Sequence, residues 1–189
     1  MEHLARRMMT DILALDLATT TGYARGRIGE APVCGSVRFG KPGVTDAAVF
    51  GAALDWLILQ FDRRPIPDLL IMEALLPPLA MKNETSRAVR DRLGGLHGIV
   101  KGVAHRYGVG EIATATVGDV RAHFIGDRTL PRDKAKREVM RHCQMLGWKA
   151  LDDNASDAAA VWSFACALID PTWALQVSPL FNRKLRVVV

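Results

Sequence analysis

Two short blocks of consecutive apolar residues, Ile12 to Leu15 and Leu69 to Met72, each end in a carboxylate, Asp16 and Glu73. Unbroken apolar runs of this length are the pattern of strands buried on both faces. The first block predicts a strand over residues 12–17. The Thr19-Thr20-Thr21-Gly22 stretch reads as a tight turn, after which residues 23–28 return beside the first strand. Residues 32–39 form a third strand, bounded by Gly29 and by the Gly40-Lys41-Pro42-Gly43 breaker. Three consecutive antiparallel strands are the expected product.

The period then changes. Thr45 is placed as the N-cap of a helix to about residue 62, with Phe50, Leu54, Leu57, Ile58 and Phe61 at helical spacing. After the second apolar block, Pro77 and Pro78 make a rigid loop. A long helix is expected over 82–107 and a strand over 111–116. A short helix (117–125) leads through a basic loop to a helix over 131–146 that opens on Pro131, a residue suited to the first turn. A last helix covers 153–168 and stops at Pro171, and the chain from Thr172 onward reads as an irregular basic tail. Strands first and alternating strands and helices later imply an α/β fold, a mixed five-stranded sheet flanked by helices. The domain division is therefore 1–170, followed by the tail over 171–189.

Composition narrows the class. A chain of 189 residues, 49% of them hydrophobic, suffices for one domain with a real core and rules against a disordered class. No apolar run approaches the ~20 residues of a membrane span, and the first residues lack the apolar block of a secretion signal. Cys34, Cys143 and Cys166 are odd in number and form no CxxC pair, which argues for reduced thiols. A cytoplasmic protein is expected. The net charge of +5 suits a partner built of phosphates.

Asp16, Glu73 and Asp157 carry the candidate chemistry. Asp16 and Glu73 close buried strands, and Asp157 lies in the first turn of a helix otherwise rich in Ala, Val, Trp and Phe. A carboxylate in such a place is costly unless paired or bound to a cation. Each could instead cap a helix or meet an arginine, and Asp157 alone fits that reading. Together they suit Mg²⁺ or Mn²⁺, which favour hard oxygen ligands. Two such ions about 3.5–4 Å apart can clamp both oxygens of a phosphodiester displacement.

These residues carry a family resemblance. Ile12-Leu13-Ala14-Leu15-Asp16-Leu17-Ala18-Thr19-Thr20-Thr21-Gly22-Tyr23-Ala24 resembles the opening motif of RuvC-type Holliday junction resolvases, especially phage-like members. Leu70-Ile71-Met72-Glu73 is similar to the family's second acidic strand, and Asp152 to Ala160 to its C-terminal acidic helix. The segment from Val117 to Val139 resembles the basic linker, with Lys136 in the lysine position. The resemblance covers residues 12–168. It implies a ribonuclease H-like fold, a homodimer, two Mg²⁺ or Mn²⁺ ions and cleavage of four-way DNA junctions. Asp16, Glu73 and Asp157 would be metal ligands, and Lys136 a phosphate or transition-state contact. The family's fourth ligand falls on Asn154, which offers an uncharged oxygen; Asp153 is the alternative, about 100° round the helix.

Phosphate contacts are expected from Arg87, Arg90, Arg128, Arg132, Lys134 and Lys136, within a basic population that includes Lys82, Arg121, Arg137 and Arg141. Leu75 and Leu76 stand where relatives often place an aromatic wedge; they either unstack bases or pack under the proline loop. Gly94, Gly98 and Gly102 recur every four residues, on a dimer contact or on the sheet-facing side. His97, His105 and His123 read as structural or exposed. Three other classes stay open: a silent branched-DNA-binding module, a flap nuclease, and an actin-like or sugar-kinase-like phosphotransferase. The last needs two such halves, and this chain supplies one.

Overall fold

The computed structural model describes residues 10–62, 65–75 and 84–177. Asp11–Asp16 (β1), Thr20–Arg27 (β2) and Val33–Arg38 (β3) form an antiparallel meander. Helix α1 (Asp46–Asp62) follows, then β4 (Leu69–Glu73), helix α2 (Glu84–Arg106) and β5 (Glu111–Ala115). The C-terminal half is helical: α3 (Val117–Ile125), α4 (Arg132–Met145), α5 (Asp153–Ile169) and α6 (Pro171–Val177). The strands lie in the order β3-β2-β1-β4-β5, with β4 parallel to both β1 and β5. The expected α/β architecture, a mixed five-stranded sheet flanked by helices, is what forms.

Strand parity separates two cores. On β1, Ile12 and Ala14 face one side, and Leu13 and Leu15 face the other. On β4, Leu69 and Ile71 share the first side, and Leu70 and Met72 the second. The first side is covered by α3 to α6 and the second by α1 and α2. Because β1 and β4 are central and covered on both faces, their sequences are apolar at every position up to the terminal acid. Helix α5 packs on the first side, with Ala155, Ala158, Ala159, Ala160, Ala165 and Cys166 all buried. Small side chains let its axis come close to the sheet.

Several expectations need correction. The reversal after β1 occupies residues 17–19, and Thr20 to Gly22 already belong to β2. The Thr21 hydroxyl closes this turn by donating to the Ala18 carbonyl (2.7 Å) and accepting from the Ala18 amide (3.2 Å). Thr116 is not strand but the N-cap of α3, its hydroxyl accepting from the Asp119 amide.

The chain after Pro171 is not irregular at its start. Pro171 opens α6, its fixed φ suiting the first helical position. Buried Trp173 and Val177 belong to the same core as α5, so helical chain packed on the domain continues past residue 170. Arg183, Lys184 and Arg186 lie outside the described residues.

On α2, the side facing the sheet is Leu96, Val100, Val103 and Ala104. A Cβ on Gly94, Gly98 or Gly102 would meet nothing within 4 Å among the described residues, so the glycine row is an outer face. Gly95 is the glycine with a packing role, since its missing Cβ leaves room for the Phe50 ring.

Candidate active site

Parity also places the acids. Asp16 follows Ile12 and Ala14 at the two-residue period, and Glu73 follows Leu69 and Ile71, so both carboxylates face the α5 side. They stand one step beyond the last paired residues, Leu15 and Met72, at the C-terminal ends of adjacent parallel strands. Asp157, in the second turn of α5, completes the group from the covering layer.

The N-terminus of α5 is fixed from two directions. Gly22 of β2 lies against the Asn154 backbone carbonyl, where a Cβ would come within 1.9 Å of the oxygen. Asp152 is the N-cap: its Oδ1 accepts from the Ala155 amide at 2.8 Å, and its Oδ2 accepts from the Ser36 hydroxyl of β3 at 2.6 Å. Sequence reasoning passed over both Gly22 and Asp152 as positioning residues. The signal available was an Asp immediately before an apolar helix, the ordinary mark of a cap.

The electrostatics are those of crowded anions. Burial pushes the Asp16 carboxyl up to about 6, with the charge of Asp153 adding and those of Lys136 and Arg132 opposing. Burial, then the charges of Asp16 and Asp157, push Glu73 up to about 7 against Arg121 and Arg132. Burial and Asp16 push Asp157 up to about 7, opposed by Lys136 and Arg121. Asp153 behaves oppositely: a hydrogen bond from Lys136 holds its carboxyl below the usual range. The Lys136 ammonium donates to Asp153 Oδ2 and lies 4.0 Å from Asp157 Oδ2.

Arg121 is the residue the sequence underrated. With Glu73, Asp157, Val117, Val120 and Val139 it lines a small pocket of about 30 Å³. Val117, Val120 and Phe124 mark the inward face of α3, and position 121 lies on that same face. An arginine in an apolar helical stripe was the legible sign.

Among the described residues, no three His, Cys, Asp or Glu side chains converge as a preformed metal site. The chemistry of the donor set nevertheless fits a hard divalent cation. Three oxygen-bearing side chains face one end of the sheet, burial and mutual repulsion disfavour their ionised forms, and a lysine ammonium already stands among them. A cation of higher charge would relieve the same repulsion.

The remaining expected residues divide. Arg132, Lys134 and Lys136 lie on α4, Arg132 and Lys136 near enough to act on the carboxylates and Lys134 exposed. Lys134 lines a separate surface hollow with Arg137, Asp127 and Glu138. Arg128 is tied to Asp119 at 2.8 Å. Arg87 and Arg90 sit on α2, which covers the opposite face of the sheet. Leu75 is 37% exposed, whereas Leu76 and Lys82 lie outside the described residues. His123 is structural, its Nε2 bonded to the buried Ser163 hydroxyl at 2.9 Å.

No protein-family model and no curated protein sequence matches the chain. Solved structures do. Thermus thermophilus RuvC superposes with a TM-score of 0.62 at 16% identity, covering 84% of this chain and 96% of that one. The same protein in complex with Holliday junction substrate gives 0.65 at 14% identity, with 84% and 94% covered. Ydc2, the yeast mitochondrial Holliday junction resolvase, gives 0.53 at 13% identity, with 96% and 88% covered. The likeness is one of fold: this chain's antiparallel meander, its parallel β4 and β5 and its flanking helices match the ribonuclease H-like fold of the RuvC-type resolvase structures.

Proposed function

We propose that this chain is a divalent-metal-dependent, structure-selective DNA endonuclease that acts on four-way junctions by paired symmetric nicks. One observation carries the reading: parity and register bring Asp16 and Glu73 to the end of the sheet that α5 covers, where their charges and that of Asp157 act on one another. Bound Mg²⁺ or Mn²⁺, two ions in this reading, would activate water and neutralise the leaving oxygen.

The chain's own residues do the rest. Asp16, Glu73 and Asp157 would hold the ions, and Asn154, one turn before Asp157, would add a neutral oxygen. Lys136, Arg121 and Arg132 offset the repulsion between this acidic centre and a phosphate. Arg87, Arg90, Arg128 and Lys134 would add contacts along the branches.

A homodimer suits paired nicks. Gly94, Gly98 and Gly102 have nothing packed against them among the described residues, which would let a second copy approach closely. Cys34, Cys143 and Cys166 are free thiols, which suits the reducing cytoplasm. Among the described residues no helix is long and apolar enough to cross a membrane.

A second reading, a silent branched-DNA-binding module, is favoured by Asn154 in place of a carboxylate. Incubation with synthetic four-way, flapped and linear DNA in Mg²⁺ or Mn²⁺ separates the two. Paired nicks confined to four-way junctions are expected. Binding without cuts in either metal selects the silent module, and cuts confined to flaps select a flap nuclease.

A further inference from the structure

Lys136 differs from the other cations of its segment. Lys134 and Arg137 are exposed, whereas the Lys136 side chain is 26% exposed and turned inward from α4. Its ammonium donates to Asp153 Oδ2, stands 4.0 Å from Asp157 Oδ2, and acts electrostatically on Asp16. Holding a long side chain in one rotamer and stripping part of its water are both unfavourable. The compensation comes from carboxylates on two elements, β1 and α5. This is the arrangement of a counterion within an anionic cluster, not of a surface lysine waiting for DNA.

We propose that the Lys136 ammonium, anchored by Asp153, is the resident cation of the acidic centre, and that divalent metal must displace it in order to bind. The inference rests on the metal reading of Asp16, Glu73 and Asp157. It gives Asp153 a role that differs from Asn154's: Asp153 holds the lysine, while Asn154 shares the face of Asp157. It also gives Lys136 two successive partners. The ammonium leaves the carboxylates when metal enters, and it is then free to meet a phosphate oxygen at the same place. Like charges at about 4 Å in a partly buried setting weaken each other's binding by roughly tenfold or more.

The test is Mn²⁺ binding to the full chain without DNA, read from the electron paramagnetic resonance of free Mn²⁺ at mildly alkaline pH. Lys136→Met and Lys136→Gln are each expected to bind Mn²⁺ about tenfold more tightly than the unmodified protein. Two substitutions of different polarity guard against a folding defect in either. Lys134→Met removes the same charge from an exposed site and is expected to change affinity less than about twofold. Equal or weaker binding by both Lys136 variants overturns the proposal, as does equal tightening by Lys134→Met. If none of the proteins binds Mn²⁺, the metal reading itself fails and takes this inference with it.

Discussion

The Asn154 carbonyl oxygen lies where a Cβ on Gly22 would have to sit, 1.9 Å from the position that atom would take. The contact is backbone against backbone, so no flexible side chain can give way. Gly22→Ala must therefore push the first turn of α5 off β2. Overpacking of this kind costs about 1–3 kcal/mol. Melting is expected to fall accordingly, and junction cleavage to fall further than junction binding, because α5 carries Asp157. A cleavage rate equal to the unmodified protein's would show that the contact does not position the site.

Asp152 makes two bonds that hold the same turn, one to the Ala155 amide and one from Ser36. Asp152→Ala is expected to cost about 0.5–2 kcal/mol as a lost N-cap. Ser36→Ala removes only the strand-to-helix tie and should cost less. Chemical denaturation of both variants checks the ranking, and a costlier Ser36→Ala would reverse it.

Burial and charge raise the Glu73 carboxyl from 4.5 to about 7 in the folded chain. The folded state therefore binds the proton more tightly than the unfolded state. That contribution to stability is complete below about pH 4 and is lost as pH rises to about 7. Replacing Glu73 with Gln removes the loss, so the variant should gain on the unmodified protein as pH rises through this window, by on the order of 3 kcal/mol without metal. Paired thermal melts at successive pH values, in the presence of a chelator, measure the difference. A constant difference would mean that Glu73 is not held in its protonated form by the fold.

The legible part of the fold was the part governed by simple periods. Apolar blocks ending in Asp16 and Glu73 were enough to place two strands buried on both faces, each closing on an acid; the pairing of β1 with β4 is what sets both acids on one face. What escaped depended on local chemistry that apolar periodicity does not carry. Thr21 closes the first turn through its hydroxyl, shifting the start of β2 to Thr20. Pro171, read as a stop, also starts a helix, because proline fits a first turn as well as it ends a preceding helix. The glycine row on α2 looked like a packing groove, yet Gly95, outside that row, makes the close contact. Arg121 was counted by charge when its position among Val117, Val120 and Phe124 was the informative feature.

Trp173 shows what the sequence undervalued beyond Pro171. Its ring stacks on Trp148 and meets Trp162 edge-on, with centroids 6.4 and 5.5 Å away, and its indole donates to the Ser163 hydroxyl. Trp173→Ala is expected to cost about 3–5 kcal/mol, as for other buried tryptophans. Denaturant titration measures it, and a loss below about 1 kcal/mol would mean that α6 is peripheral to the core.

The carboxylates at the heart of the proposed activity can be tested in one assay: cleavage of a synthetic four-way junction by chelator-stripped protein, before and after Mn²⁺ is restored. Asp16→Asn and Glu73→Gln are run beside it. Paired nicks are expected only from the unmodified protein with metal, with at least a hundredfold loss (roughly the scale for removing a charge-stabilising group) in both variants and junction binding retained throughout. Cleavage without metal, undiminished cleavage by either variant, or binding by the metal-restored protein with no cuts at all would contradict a metal-dependent nuclease built on Asp16 and Glu73.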